Sequence, residues 1–108
     1  MLVSTTEELQ GFEITEYLGL AHGEVVSGAN ILRDVMATVT DFVGGRSAAY
    51  EEELRNSRDA ALREMTDRAQ RLGADAVVGL QLDFEVIGSR GAMMMVTAVG
   101  TAVRLKKL

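Results

Sequence analysis

The sequence predicts one α+β domain over residues 1–108 that associates with copies of itself through its sheet. A chain of 108 residues has room for one small hydrophobic core. One long stretch carries apolar residues at helical spacing, and three stretches alternate with a period of two. The last of these is apolar on both faces, which is typical of a central strand that is covered above and below.

The first element is a long bent strand, or a hairpin, over Phe12–Ser27. Its alternation predicts one apolar side, and glycines near its middle predict a break in the strand. The apolar side comprises Phe12, Ile14, Leu18 and Leu20, the opposite side comprises Glu13, Thr15 and Tyr17, and the breaks fall near Gly19 and Gly23.

Two helices follow. Asn30 is a candidate cap for a short helix over residues 31–43 that ends at Gly44. Ser47 is a candidate cap for a long helix that continues to Leu72 and ends at Gly73. The predicted apolar stripe of the long helix comprises Tyr50, Leu54, Ala61, Met65, Ala69 and Leu72. Acids precede bases by four residues at Glu51-Arg55, Asp59-Arg63, Glu64-Arg68 and Asp67-Arg71.

From Asp75 the period changes to two, which predicts a strand with one apolar and one largely polar face. The apolar face comprises Val78, Leu80, Leu82, Phe84 and Val86. A turn at residues 88–91 leads to a final strand from Met93 to Leu105. The two apolar faces of that strand comprise Met93, Met95, Val99 and Val103 on one side and Met94, Val96, Ala98, Gly100 and Ala102 on the other.

These elements are predicted to form a β-α-β-β unit with an antiparallel sheet, in which the last strand lies between the other two. Gly44-Gly45-Arg46, which joins the helices, spans only about 10 to 14 Å when extended. Crossing from one side of the sheet to the other requires about 20 Å, so both helices are predicted on the same side. One of the two apolar rows of the last strand, that of Met93 or that of Met94, then lies on an uncovered face, and copies of the same chain are expected to bury it.

Composition excludes several classes of function. The chain has no cysteine and one histidine, so disulfides, thiolate metal sites and cysteine nucleophiles are absent. Its net charge of −5 argues against a nucleic-acid partner. We find neither an apolar run long enough to span a membrane nor a signal-peptide pattern at residues 1–8, so we expect a cytoplasmic protein without a membrane partner.

Five short motifs, in order, resemble the prokaryotic YbjQ-like family, which is described as binding heavy metals. They are Tyr17-Leu18-Gly19, Gly23-Glu24-Val25-Val26, Gly44-Gly45-Arg46-Ser47 with Tyr50-Glu51, Gly73-Ala74-Asp75-Ala76-Val77-Val78-Gly79, and Thr97-Ala98-Val99-Gly100-Thr101-Ala102-Val103. The resemblance implies a dodecin-like β-α-β-β subunit and a pentameric ring. It implies no reaction, and it supplies no metal ligands.

The candidate metal ligands come from the residues themselves. His22 and Glu24 are two apart on one strand and point the same way, as do Asp83 and Glu85 on another. Two such pairs, close together or repeated around a ring, could hold a divalent metal ion. The alternative is that all four are simply solvated polar side chains.

Other patterns have simpler explanations. Met93-Met94-Met95 offers thioethers for a soft metal ion, but alternation sends Met94 to the opposite face and a core role is preferred. Gly44-Gly45-Arg46-Ser47 precedes a helix N-terminus, where Arg46 could bind an anion or bridge subunits; a capped turn between helices also explains it. The serines have only His22 as a possible base, so we predict no catalytic triad.

The sequence therefore predicts a non-enzymatic homo-oligomer that binds a metal ion or small ligand between subunits. A purely structural or protein-interaction module is the alternative. An enzyme that uses carboxylates is a more distant third.

Overall fold

The computed structural model describes residues 1–27, 48–87 and 93–108. Its elements are β1 (Leu2–Val3), β2 (Phe12–Ser27), α1 (Ala48–Arg71), β3 (Ala76–Ile87) and β4 (Met93–Lys107). The predicted short helix over 31–43, the Gly44–Ser47 turn with Arg46, and the turn at 88–91 lie outside the described residues.

The strands of the described segments form one sheet in the order β1-β3-β4-β2. β4 pairs antiparallel with both β2 and β3, which confirms the prediction that the last strand lies between the other two. The prediction of a purely antiparallel sheet is wrong, because β1 pairs parallel with β3. β1 was not predicted, because a strand of two residues is too short to show an alternating pattern in the sequence. Backbone bonds hold this pairing, including Ser4 N–H to the Val77 carbonyl at 2.9 Å and Leu80 N–H to the Ser4 carbonyl at 3.0 Å.

Helix α1 follows the prediction closely. It ends at Arg71, and Gly73 has φ 85°, a backbone conformation that is unfavourable for residues other than glycine. Of the predicted acid–base pairs, Glu64–Arg68 forms an ion pair of 2.7 Å. Leu72 is exposed, so its assignment to the buried stripe is wrong; it lies just after Arg71, the last helical residue.

α1 packs mainly against β2 and least against β3. The close approach depends on Gly23, where a Cβ atom would lie within 3 Å of the backbone at Ala61 and Met65. The prediction of a strand break near Gly23 is therefore wrong. Glycine is needed there because the helix backbone occupies the place of a side chain.

The helix-side core combines the buried stripe of α1 with one face of the sheet. Its buried residues are Ala21, Ala61, Met65, Ala69, Val77, Met94, Val96, Ala98 and Ala102. The predicted division of β4 into two faces is confirmed, because its even-numbered residues from Met94 to Ala102 are buried beneath the helix.

Irregular positions in β2 change which side chains share a face. Register shifts occur between Ile14 and Glu16 and between Tyr17 and Gly19. As a result Leu18 packs into the helix-side core, whereas Leu20 is 73% exposed on the opposite face. The prediction that Leu18 and Leu20 share one side is wrong, since an extra residue in a strand reverses the alternation after it.

A bulge at Gly79 has the same effect in β3. Gly79 has φ 64°, and the register shifts between Val78 and Gln81. Val78 consequently lies opposite the helix side, in a small second core with Ala76 and Val103. The predicted grouping of Val78 with the later apolar residues of β3 is therefore wrong.

The second core also changes the prediction for Val103. Its buried residues are packed by Leu9, Ile14 and Leu105. The N-terminal segment thus helps to bury Val103 within one chain, and a second copy of the chain is not needed to cover it.

Candidate metal centre

The sheet face opposite α1, which we call the open face, carries the predicted ligands. Beyond the second core, this face includes Leu20, His22, Glu24 and Val26 of β2, Met95, Thr97, Val99 and Thr101 of β4, and Gln81, Asp83 and Glu85 of β3. These β4 residues are half-buried, and these β2 and β3 residues are exposed.

The strand register fixes how far apart the predicted ligands lie. Glu24 and Asp83 both pair with Thr97, one from each side of β4. Strands are spaced by about 4.8 Å, so the two backbones lie about 10 Å apart. His22 is opposite Val99 and Glu85 is opposite Met95, one step away on either side of that row.

One chain therefore places all four predicted ligands on one face without bringing them together. Oxygen and nitrogen ligands lie only about 2.0 to 2.6 Å from a bound divalent ion. In the described ranges, no three His, Cys, Asp or Glu residues are grouped closely enough to hold an ion. A site made from these residues needs donors from more than one copy of the chain.

The donor types limit which ions fit. The sequence contains no cysteine, so no thiolate is available to a soft metal ion. Met94 is buried on the helix side, as alternation predicts, which separates it from Met93 and Met95. Carboxylates with one imidazole instead suit hard or borderline divalent ions.

A buried polar contact between β2 and α1 was missed by the sequence analysis. Ser27 and Ser57 are each 3% exposed, and their hydroxyl oxygens lie 3.1 Å apart. The Ser27 hydroxyl also donates to Glu53 Oε1 at 3.0 Å. The position of Ser57 between Leu54 and Ala61, on the buried side of the helix, was the available signal.

A second contact lies at the outer edge of β2. Arg68 Nη1 donates to the His22 carbonyl at 2.8 Å, while Arg68 Nη2 pairs with Glu64. The C-terminal half of α1 therefore extends over the edge of the sheet. Because the His22 carbonyl accepts this bond, it points away from β4, toward the outer edge of the sheet.

These observations define a small α+β domain in which, over residues 1–27, 48–87 and 93–108, a helix covers one face of the sheet and the N-terminal segment covers part of the other. The described part of the chain contains no helix with the length and apolarity needed to span a bilayer. The chain belongs to the YbjQ-like family, described as "Putative heavy-metal-binding", which matches residues 1–106.

A curated relative and a solved structure are similar to the chain over nearly its full length. UPF0145 protein BH1111 of Halalkalibacterium halodurans is 52% identical over 107 residues, covering 99% of this chain and 98% of that protein. A crystal structure from Pediococcus pentosaceus, of a protein with unknown function in the DUF74 family, matches with a TM-score of 0.62. That match covers 98% of each chain at 18% identity, which shows a shared fold.

Proposed function

We propose that the protein is a non-enzymatic, cytoplasmic homo-oligomer of dodecin-like subunits that binds a divalent metal ion between its copies. The single observation that carries this proposal is the placement of His22, Glu24, Asp83 and Glu85 on one open face, in two pairs separated by β4. The resemblance to the YbjQ-like family supplies the number of copies, which is five.

Exposed apolar area on the open face supports assembly. Leu20 is 73% and Val26 51% exposed, beside half-buried Met95 and Val99. Burying one such side chain stabilises a protein by about 1.5 to 3 kcal/mol relative to leaving it in water. A symmetric contact between copies buries these groups several times over.

The chemistry of the donors supports a divalent metal ion. Two aligned pairs on separate strands give each copy a set of carboxylates with one histidine, and contact between copies multiplies that set. A bound cation also relieves the repulsion between carboxylates that assembly brings together. The family description is consistent with the binding of a metal ion.

Native mass spectrometry combined with metal analysis of untagged protein tests the proposal. We expect an oligomer that retains a divalent ion after purification and loses it in Glu24→Gln and Asp83→Asn, which remove charge at nearly constant shape. Glu13→Gln is the matched control, an exposed carboxylate of the same strand outside the four ligands. A monomer at micromolar concentration, or metal content unchanged in both variants, would contradict the proposal.

The second candidate is a structural or protein-interaction module without a ligand. The 10 Å separation favours it, because one chain alone gathers no ligand group in the described segments. Stable oligomers that contain no metal and show no thermal shift with added Zn²⁺, Mn²⁺ or Ni²⁺ would support this candidate.

A further inference from the structure

Within the part of the chain that the structure describes, the sheet ends in two strand edges that lack a full partner strand. β2 is the last strand on one side, and its outer edge has no partner strand within residues 1–27, 48–87 and 93–108. On the other side, β1 pairs only with the start of β3. The outer edge of β3 over residues 81–87 is therefore also unpaired among the described strands. Such edges present backbone donors and acceptors to another chain.

The backbone orientation of both edges can be read from single contacts. The His22 carbonyl points away from β4, because it accepts a bond from Arg68. Antiparallel ladders alternate, so Leu20, Glu24 and Val26 also direct their backbone groups outward. On β3, Leu80 N–H bonds outward to Ser4. By the same alternation Leu82, Phe84 and Val86 point their backbone groups outward.

The two edges are compatible as a parallel pair. β2 and β3 both run antiparallel to β4, so they run parallel to each other. In a parallel ladder, a residue whose N–H and C=O point toward the neighbouring strand lies opposite a residue whose N–H and C=O point away from it. The side chains of the two residues lie on the same face of the sheet. Outward-pointing Glu24 would thus sit opposite a residue such as Asp83 of the next copy, and both side chains belong to the open face.

The position of α1 gives a second, independent reason for this pairing. The helix lies mainly over β2, the edge strand, and Arg68 reaches past it. Leu82, Phe84 and Val86 lie on the helix side of β3, yet are 36%, 47% and 63% exposed. When β3 of a neighbouring copy pairs with β2, this exposed apolar row lies beside the overhanging helix.

We infer that copies of this chain assemble head to tail, with β2 of one copy paired in parallel with β3 of the next. The inference rests on the proposed oligomer and specifies its contact. We call this parallel contact between β2 of one copy and β3 of the next the seam. In the seam, a backbone N–H of the neighbouring strand replaces Arg68 as the donor to the His22 carbonyl, and Arg68 keeps its ion pair with Glu64. The seam also brings the His22–Glu24 pair to within about 5 Å, one strand spacing, of the neighbour's Asp83–Glu85 strand.

Disulfide cross-linking tests the seam directly, because the native chain has no cysteine. Glu24→Cys with Asp83→Cys cannot close within one chain, where about 10 Å separates strands and a disulfide needs Cα atoms within about 7 Å. Across the seam the strands are adjacent. We therefore expect dimers, trimers and larger species on a non-reducing gel. Glu24→Cys with Gln81→Cys, and with Glu85→Cys, sample the neighbouring registers.

Matched variants separate the outcomes. Glu24→Cys with Thr97→Cys pairs neighbouring strands within one chain, so it should oxidise and stay monomeric on the gel. No ladder from any of the three seam pairs, with an oligomeric wild type by native mass spectrometry, would overturn the seam alone. A monomeric wild type would overturn the proposed oligomer with it. Covalent dimers from Glu24→Cys alone would indicate β2–β2 pairing instead, and would also overturn the seam.

A proline at the β3 edge provides a test that needs no oxidation. Phe84→Pro removes an outward N–H that no strand of the described segments uses, so the subunit should fold with unchanged circular dichroism. We expect the oligomer to dissociate at least tenfold more readily than that of Phe84→Ala, which keeps the N–H. Equal dissociation of the two variants would contradict the backbone pairing.

Discussion

The two faces of the sheet differ in how completely the chain covers them. Met94 and Met95 are adjacent and chemically identical, yet Met94 is 1% exposed beneath α1 and Met95 is half-buried on the open face. Among the described residues, α1 covers Met94 on one side, and the N-terminal segment covers the Val103 end of the other. The contrast teaches that α1 covers the helix side over most of β4, whereas the described residues cover the open face at one end.

The largest effect is expected from closing the space between α1 and β2. In Gly23→Val, the new Cβ would meet the Ala61 carbonyl and Met65 N–H, which are backbone atoms that cannot rotate away. We expect a loss of more than about 4 kcal/mol in the free energy of unfolding, measured by urea denaturation. Glu13→Ala, exposed on the same strand, should change it by less than about 0.5 kcal/mol. A folded, equally stable Gly23→Val protein would show that the helix does not pack this closely.

The methionine pair tests the comparison within two residues. Met94→Ala should lower the free energy of unfolding by about 2 to 5 kcal/mol at every protein concentration, because it empties a filled core. Met95→Ala should have a small effect at low concentration and a larger one where the oligomer is populated. Thermal unfolding over a hundredfold range of concentration measures both. Equal, concentration-independent losses would mean that the open face is not an interface.

The buried serines at the end of β2 should contribute an intermediate amount. Ser27→Ala removes a hydroxyl that contacts both Ser57 and Glu53, and the expected loss is about 1 to 2 kcal/mol. The double variant with Ser57→Ala should lose less than the sum of the single losses, since the two hydroxyls contact each other. Strict additivity in a urea-denaturation cycle would contradict a direct contact.

The smallest effect is expected at the edge of β2. Arg68→Met removes the bond to the His22 carbonyl and a half-exposed ion pair with Glu64, for a loss of about 0.5 to 1 kcal/mol in subunit stability. Because the seam replaces Arg68 at that carbonyl, native mass spectrometry should show no weaker assembly. Dissociation of the variant oligomer would instead make Arg68 a contact between copies.

Much of the candidate site could be predicted from sequence, but its distances could not. Alternation within β2 correctly predicted that His22 and Glu24 lie on one face of the sheet. Alternation within the regular part of β3 did the same for Asp83 and Glu85. The sequence also predicted β4 between the other two strands, but nothing in β2 or β3 indicates that the two pairs share a face or that Glu24 and Asp83 lie opposite the same β4 residue. That relation depends on the register of β4 with both neighbours, which is set by long-range pairing.

The sequence by itself determined the long helix and the three long strands, because helical and period-two spacing are local properties of the chain. The two apolar faces of the last strand also indicated its central place in the sheet. Only the tertiary structure decided which side of the sheet Leu20 and Val78 occupy, since bulges near Gly19 and Gly79 reverse the alternation after them. It also decided that β1 joins the sheet and that Gly23 admits the helix. These features arise from contacts between residues far apart in the chain; Gly19 indicated an irregular position in β2, but no local pattern indicated which face the following residues occupy.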